Sequence, residues 1–247
     1  MNTKEYDCFV GSEKIYIKAY LPDMEGNDEL LDCVILSHGL SLNHTFMIAY
    51  AQKLQSMGVA AFVFDFRGGG YDSLSDGKIC DMTLTSEVED LECVIEFIKD
   101  LEFINNDSIY LAGHSQGGFI SSLVANKRSD INALFLFAPA YVIVDDMTNT
   151  TRPKNVLELM PEHLGDTYIN DALSVNLYDD IDDFKNHVII FHGKKDMRVP
   201  ISYAHDAFDA YSDCELIVFD DEEHRFTDKT KDIVVMKIID FIHKNKK

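Results

Sequence analysis

The chain has 247 residues, 46% of them hydrophobic, so it can form one large domain with a substantial core. Its 43 acidic and 22 basic residues give a formal net charge of −21, which argues against nucleic acids and anionic membranes as partners. The five scattered cysteines, with no Cys-x-x-Cys pair, indicate neither a disulfide framework nor a zinc site. The sequence has no signal-like start and no run of about 18 apolar residues, which predicts a cytoplasmic protein without a membrane span.

The first half of the chain predicts alternating strands and helices. Alternating apolar and polar residues at 14–20, following Phe9 and Val10, indicate a hairpin at a sheet edge. Short continuous apolar runs, typical of buried parallel strands, occupy 32–37, 59–64, 108–112 and 133–137. Apolar residues at helical spacing, together with the motif described below, predict helices at 46–57, 83–101 and 116–126.

The pattern changes between 140 and 186, where strands and helices no longer alternate cleanly. A structureless loop of this length is unusual inside a compact domain, so this segment is predicted to be an inserted cap subdomain. Regular alternation then returns, with strands at 187–191 and 216–219 and helices near 202–211 and 229–244. The expected fold is α/β, with a mostly parallel central sheet, helices on both faces, and a core formed by 1–139 and 187–247.

Six residues, Gly-His-Ser-Gln-Gly-Gly at 113–118, stand between a predicted strand and a predicted helix. In this context Gly-x-Ser-x-Gly forms a sharp turn that exposes the serine oxygen above the sheet. We expect Ser115 to adopt a strained backbone angle, and Gly113 and Gly117 to let strand and helix approach closely. The free N–H groups at the start of the helix would favour developing negative charge beside Ser115.

Ser115, Asp196 and His224 each follow a predicted strand, and the carboxyl ends of parallel strands meet at one edge of a sheet. A serine hydroxyl needs a base to accept its proton, and a histidine with the ordinary pKa near 6.5 is mostly neutral at pH 7. A carboxylate then orients the imidazole and stabilises its charged form. The order Ser, Asp, His predicts Ser115 as nucleophile, His224 as base and Asp196 as its partner.

Other residues compete for these roles. Asp220 and Asp221 are alternatives to Asp196, but they lie so close to His224 in sequence that a loop role is favoured. Further histidines near predicted strand ends or helices are His38, His114, His192 and His205. His38 is interpreted as a structural residue, with a place at the substrate site as the alternative, and His114 and His192 are expected to be packed.

The tetrahedral intermediate of acyl transfer requires N–H donors for its oxyanion. One is expected from the backbone of Gln116, the residue after the nucleophile. The other is expected from the loop after the 32–37 strand, at the backbone of Leu40. Neither role depends on the identity of the side chain.

These motifs resemble the α/β-hydrolases, and more narrowly the bacterial cinnamoyl (feruloyl) esterases. The resemblance covers most of the chain and rests on His-Gly-Leu at 38–40, Asp-Phe-Arg-Gly at 65–68, Ser-Asp-Gly-Lys at 75–78 and the serine motif. It continues through Ala-Pro-Ala at 138–140, Gly-Lys-Lys-Asp at 193–196 and Glu-His-Arg-Phe at 223–226. It implies the α/β-hydrolase fold and a serine esterase that uses neither metal nor cofactor.

The resemblance extends to the cap, where 165–169 and the residues after it look like that family's cap segment. In the family, a tyrosine and an acidic residue there help to hold the phenolic ring of the substrate. By position Tyr168 and Asp146 would take these roles, with Asp145 as the alternative to Asp146. A place in the cap core is the other interpretation of Tyr168.

The expected function is a serine carboxylesterase acting on a small aromatic ester, such as a hydroxycinnamate, through an acyl-enzyme. One alternative is a lipid esterase or a serine peptidase with the same three residues. Another, of a different class, is a non-catalytic small-molecule binding protein on the same fold. The sequence leaves the oligomeric state open, with a homodimer as one option.

Overall fold

The computed structural model describes residues 2–23, 29–148, 164–176 and 181–246. Within these ranges the chain forms one eight-stranded sheet, with the strand order β1-β2-β4-β3-β5-β6-β7-β8. The strands are β1 (Asn2–Val10), β2 (Glu13–Leu21), β3 (Leu31–Ser37), β4 (Ala60–Phe64), β5 (Ile104–His114), β6 (Ala133–Phe137), β7 (His187–Gly193) and β8 (Cys214–Phe219).

The helices alternate with the strands after the first hairpin. They are α1 (Ile48–Ser56), α2 (Leu84–Lys99), α3 (Gln116–Asn126), α4 (Ile143–Thr148), α5 (Asp166–Ala172), α6 (Ile201–Ala210) and α7 (Asp228–Asn245). A turn of 3-10 helix at His44–Met47 leads into α1. None of the described helices combines the length and the apolar character that crossing a bilayer requires.

The sheet is antiparallel at one end and parallel through the rest. β1 pairs with β2, and β2 with β4, in antiparallel register, whereas all pairs from β4 to β8 are parallel. Parallel strands need crossover connections, and helices supply these on both faces. The predicted α/β-hydrolase fold is confirmed by this arrangement.

Each face of the sheet has its own hydrophobic core, because side chains alternate along a strand. In β3, Cys33 and Ile35 face the core formed with α2 and α3, while Val34 and Leu36 face the core formed with α1 and α7. Both faces are therefore covered, and every residue of β3 is buried. This explains the continuous apolar runs in the sequence.

Helix α2 begins where the sequence supplies a capping box. The Thr83 hydroxyl accepts from the backbone N–H of Ser86, and the Ser86 hydroxyl accepts from the backbone N–H of Thr83. These two bonds satisfy N–H groups that the helix itself leaves without an acceptor. The capping box thus begins α2 at Leu84, one residue after the predicted start of the helix.

Two described helices, α4 and α5, lie in the predicted cap segment at 140–186. The rest of that segment includes 149–163 and 177–180, which lie outside the described residues. Helix α5 is attached to the core because the Asp171 carboxylate accepts from both the backbone N–H and the hydroxyl of Thr85, at 2.8 Å and 2.7 Å. The division into core and cap stays a prediction.

Candidate active site

The chain turns sharply at Ser115, between the end of β5 and the start of α3. Ser115 has φ 56° and ψ −122°, a region that residues with a side chain rarely adopt, so the predicted backbone strain is confirmed. A Cβ atom at Gly113 would lie 2.4 Å from the Gly117 carbonyl oxygen, and one at Gly117 would lie 2.3 Å from the His38 carbonyl oxygen. Only glycines at these positions let the turn close.

Three side chains meet at this edge of the sheet in a continuous hydrogen-bonded relay. The Oγ atom of Ser115 lies 3.0 Å from Nε2 of His224, and Nδ1 of His224 lies 2.7 Å from Oδ2 of Asp196. Ser115 follows β5, Asp196 follows β7 and His224 follows β8. The loops after these three parallel strands therefore meet at one edge of the sheet. The structure brings together the three residues that the sequence singled out.

Asp196 is held by more than the histidine. Its Oδ1 accepts from the backbone N–H groups of Arg198 and Val199, at 2.8 Å and 2.9 Å. Burial favours the neutral acid, but the hydrogen bond and charge of His224, together with the Val199 N–H, outweigh it and lower the pKa of Asp196. The carboxylate is therefore charged and requires the proton of His224 on Nδ1, which leaves Nε2 free to accept from the Ser115 hydroxyl.

The competing candidates occupy other positions. Asp220 and Asp221 are exposed and form ion pairs with Lys194 and Lys195. His205 is also exposed, on α6.

Two of the other histidines form hydrogen bonds to the loops that carry Asp196 and His224. Nε2 of His192 lies 2.9 Å from the Val199 carbonyl oxygen, and Nε2 of His114 lies 3.0 Å from the His224 carbonyl oxygen. Both rings are buried, and burial lowers the pKa of each, so they are neutral donors that fix the two loops.

Backbone N–H groups of Gln116 and Leu40 are available beside Ser115. Gln116 is the first residue of α3, and the first N–H groups of a helix have no acceptor within it. Leu40 follows Gly39, where a Cβ atom would lie 3.0 Å from Cβ of Ser115, so this loop packs directly against the serine. Both residues line the cavity described below.

His38 fixes the peptide unit that carries the Leu40 N–H. Its Nε2 accepts from the Phe66 N–H at 3.2 Å, so its proton is on Nδ1, which donates to the Gly39 carbonyl oxygen at 2.9 Å. The Leu42 N–H donates to the same oxygen at 3.1 Å. Because the Gly39 carbonyl and the Leu40 N–H belong to one planar peptide, holding the oxygen orients the N–H on the opposite side. His38 is buried, which favours its structural interpretation over a place at the substrate site.

A cavity of about 200 Å³ opens over Ser115 and His224. Its described lining includes the apolar residues Leu40, Leu42, Ala140, Val142 and Ile143 and three charged side chains, those of Asp146, Arg198 and Arg225. Of the two neighbouring acidic residues, Asp146 lines the cavity, whereas Asp145 accepts a hydrogen bond from Tyr203. Asp146 is thus the acidic residue within reach of a ligand.

Tyr168 is not among the described residues that line this cavity. Its ring is fully buried, and its hydroxyl donates to Oε1 of Gln116 at 2.6 Å. The amide nitrogen of Gln116 in turn donates to Oε2 of Glu87 at 2.7 Å. Burial raises the pKa of Glu87 well above its ordinary value, with a smaller opposing effect of the Gln116 bond. The sequence predicts no such buried chain of Glu87, Gln116 and Tyr168, although Glu87 falls three residues after Leu84 and four before Leu91 on the apolar stripe of α2.

No set of three or more His, Cys, Asp or Glu side chains within the described ranges is arranged to hold a metal ion. The polar groups that converge on the cavity are instead those of the relay, the loop N–H groups and the three charged side chains on its lining. This arrangement is suited to acyl transfer from a bound ester or amide to Ser115.

The family model that matches the chain describes the prolyl oligopeptidase family, and it covers residues 44–247. A weaker relative is an uncharacterized 31.7 kDa protein of Escherichia coli from the traX-finO intergenic region, 28% identical over 131 residues. That match spans 51% of this chain and 45% of the relative, less than half of its length.

Solved structures resemble the chain over nearly its whole length. Est1E from Butyrivibrio proteoclasticus, solved with bound ferulic acid, has a TM-score of 0.84 and 26% identity, over 97% of this chain and 98% of its own. Alpha/beta hydrolase domain-containing protein 10 from mouse has a TM-score of 0.77 and 20% identity, with coverage of 98% and 99%. The esterase EaEST from Exiguobacterium antarcticum has a TM-score of 0.73 and 18% identity, over 97% of this chain and 100% of its own. The chain belongs to the prolyl oligopeptidase family, and it is a serine hydrolase with the α/β-hydrolase fold.

Proposed function

We propose that the chain is a serine carboxylesterase that hydrolyses small aromatic esters, of the hydroxycinnamate type, through an acyl-enzyme. The observation that carries the proposal is the unbroken relay from Asp196 through His224 to Ser115 at the floor of the cavity. Each of its two hydrogen bonds has the length that proton transfer between positioned groups requires.

In the proposed first half-reaction, Oγ of Ser115 attacks the ester carbonyl carbon while Nε2 of His224 takes the hydroxyl proton. The carbonyl oxygen becomes an oxyanion, which the N–H groups of Gln116 and Leu40 stabilise. The tetrahedral intermediate then collapses: the bond to the alcohol oxygen breaks, and His224 gives its proton to that oxygen. The charge of Asp196 stabilises the imidazolium between the two transfers.

In the second half-reaction a water molecule takes the place of the alcohol. His224 removes a proton from the water as its oxygen attacks the acyl carbon, and the same N–H groups hold the second oxyanion. The bond from the acyl carbon to Oγ breaks, and the proton returns to Ser115. The products are the free acid and the free enzyme.

A small aromatic acyl group is supported by the cavity and by one structural relative. The cavity of about 200 Å³ is smaller than the roughly 300–1,000 Å³ of typical ligand pockets, which favours a small acyl group over a long lipid chain. Est1E is described with bound ferulic acid. We infer that Asp146, on the lining, accepts a hydrogen bond from a phenolic hydroxyl of the substrate.

The experiment is a ranking of hydrolysis rates across methyl ferulate, 4-nitrophenyl butyrate, a monoacylglycerol and an aminoacyl 4-nitroanilide. Ser115→Ala should lower turnover of the best substrate by at least ~10³-fold, because the relay acts as a unit. Ser129→Ala, at an exposed serine after α3, is the matched control and should keep full activity. Full activity in Ser115→Ala, or no labelling of Ser115 by a fluorophosphonate, would defeat the assignment.

A second candidate is a serine peptidase, which the match to the prolyl oligopeptidase family favours. The chemistry at Ser115 would be the same, with His224 giving its proton to an amine instead of an alcohol. Faster cleavage of the 4-nitroanilide than of any ester in the panel would support this candidate over the esterase.

A cytoplasmic location and a small-molecule ester as partner belong to the same proposal. All five cysteines, including the buried Cys8 and Cys33, are free thiols, and free thiols persist in reducing compartments. Detection of the active protein in a cytoplasmic fraction, and not in the medium, tests the location.

A further inference from the structure

Two arginines on the cavity lining have no carboxylate partner among the described residues. By contrast, Arg67 pairs with three carboxylates, including Asp90, and Arg128 pairs with two, including Asp130. Arg198 and Arg225 both line the cavity over Ser115 and are exposed to solvent. In a chain with a net charge of −21, the two described arginines without a carboxylate partner both lie at the cavity over Ser115.

Both guanidinium groups stand on loops that the relay already fixes. The backbone N–H of Arg198 donates to Asp196, and Arg225 directly follows His224. The Arg225 guanidinium also lies over the ring of Phe46, 5.6 Å from its centroid, and Phe46 packs against His114. Their positive charges add to burial and to the charge of His224 in lowering the pKa of His114, so their field reaches the centre of the site.

The position of the two arginines places them near the alcohol part of a bound ester, not near its acyl part. His224 must give its proton to the alcohol oxygen as the ester bond breaks, so the alcohol leaves along the side of the cavity that carries His224. Arg225 and Arg198 belong to the loops on that side, whereas Leu40 and Gln116 surround the oxyanion. The described lining carries two arginines and one carboxylate, that of Asp146, so its formal charge is positive.

We propose that the natural substrate is an ester whose alcohol part carries an oxyanion, a carboxylate or a phosphate, bound by Arg198 and Arg225. Guanidinium groups form strong charge-assisted hydrogen bonds with both kinds of anion. This inference rests on the proposed esterase function and adds the charge of the leaving group. The acidic surface does not oppose it at physiological salt, because charges more than about 8 Å away are largely screened whereas contacting groups are not.

The test compares acetate esters that differ only in charge, at about 0.15 M salt. The anionic ester is 3-(4-acetoxyphenyl)propionate, its neutral partner is the corresponding primary amide, and a phosphonate analogue tells a phosphate preference from a carboxylate preference. Each charge is insulated from the reacting ester, so intrinsic reactivity is matched. We expect kcat/KM of the unmodified protein to be about 10-fold higher for the better anion than for the amide, as a charged hydrogen bond at a partly exposed site would give.

Arg198→Gln with Arg225→Gln should lower the ratio of kcat/KM for anion over amide about 10-fold, since both guanidinium contacts are lost. The Arg198→Lys, Arg225→Lys variant keeps the charges and should keep part of the preference. Lys53→Gln with Lys237→Gln removes two positive charges from α1 and α7 and should leave the ratio unchanged.

A ratio near one in the unmodified protein, or an unchanged ratio in the double glutamine variant, overturns the anionic leaving group while the esterase function stands. Absence of Ser115 labelling and of all ester hydrolysis overturns both.

Discussion

Glu87 is a carboxyl group almost without solvent contact, and its pKa is raised by burial well above the ordinary value. A group whose pKa is higher in the folded than in the unfolded chain binds its proton more tightly when folded. The free energy of unfolding therefore decreases as the pH rises from the unfolded pKa through the folded one. Glu87 thus makes the fold less stable at neutral than at mildly acidic pH.

Glu87→Gln should remove this decline, because an amide cannot ionise but can still accept from the Gln116 side chain. Urea unfolding at about pH 5 and about pH 8 measures it, as the difference in the free energy of unfolding between the two pH values. Glu92→Gln, on the same helix, is the control for loss of a charge. Equal pH dependence in Glu87→Gln and in the unmodified protein would contradict the prediction.

Among single residues, those whose chemistry depends on local context could be predicted from the sequence. Ser115, Asp196 and His224 could be found because each follows a short apolar run at the end of a strand. In the structure His224 lies 3.0 Å from Ser115 and 2.7 Å from Asp196. Tyr168 could not be placed, because its position depends on how the cap packs on α2 and α3. The bond from Tyr168 to Gln116 joins residues 52 positions apart, and no local pattern encodes it.

Helix α5 contacts Gln116, the residue after the nucleophile, through a hydrogen bond from the Tyr168 hydroxyl. Tyr168→Phe removes the hydroxyl that donates to Oε1 of Gln116, and this buried oxygen loses its hydrogen bond from Tyr168. We expect the free energy of unfolding to fall by about 1–3 kcal/mol. Gln116 carries a proposed oxyanion N–H, so we expect kcat to fall for a simple acetate ester and a hydroxycinnamate ester alike. KM should change little.

Steady-state kinetics on both esters checks this prediction and separates two roles for Tyr168. If the tyrosine contacts the phenolic ring of the substrate, Tyr168→Phe raises KM for the hydroxycinnamate and leaves the acetate ester unaffected. Tyr203→Phe, which removes the donor to Asp145 instead of that to Gln116, is a matched control.

Among the strands and helices, the buried strands, the amphipathic helices and the hairpin at the edge of the sheet could be predicted, but the full length of the edge strand could not. β1 begins at Asn2, although residues 2–5 carry no apolar side chain and are all exposed. Backbone pairing with β2 over nine residue pairs holds this part of the chain in a strand, although its side chains bury little surface. β5 likewise begins at Ile104, before the apolar run, where it pairs with Leu31 across an irregularity.

For the whole molecule, the dominant long-range force is repulsion among acidic groups. A net charge of −21 opposes compaction, and salt weakens that opposition because the screening length falls from about 30 Å at 0.01 M to about 8 Å at 0.15 M. We expect the melting temperature to rise over this range of NaCl. A gain of 1 kcal/mol corresponds to about 2–4 °C for a chain of this size.

Thermal unfolding followed by circular dichroism measures the effect. KCl should reproduce the NaCl result, since screening depends on ionic strength and not on the cation. A melting temperature that is constant or falls with added salt would show that local ion pairs, such as those of Arg67, outweigh the general repulsion.

The proposed base is carried by the most weakly anchored strand of the three that build the relay. Within the part of the chain that the structure describes, β8 is the last strand of the sheet and pairs with β7 alone, and its residues are largely half-exposed, whereas β5 and β7 lie between neighbours. Edge segments open locally before the interior of a sheet does. Ester hydrolysis should therefore be lost at a lower urea concentration than helical circular dichroism, and dilution of the urea should restore it at once. Loss of catalysis would then report a detached imidazole in an otherwise folded protein, so heat tolerance of the activity and of the fold could be improved independently.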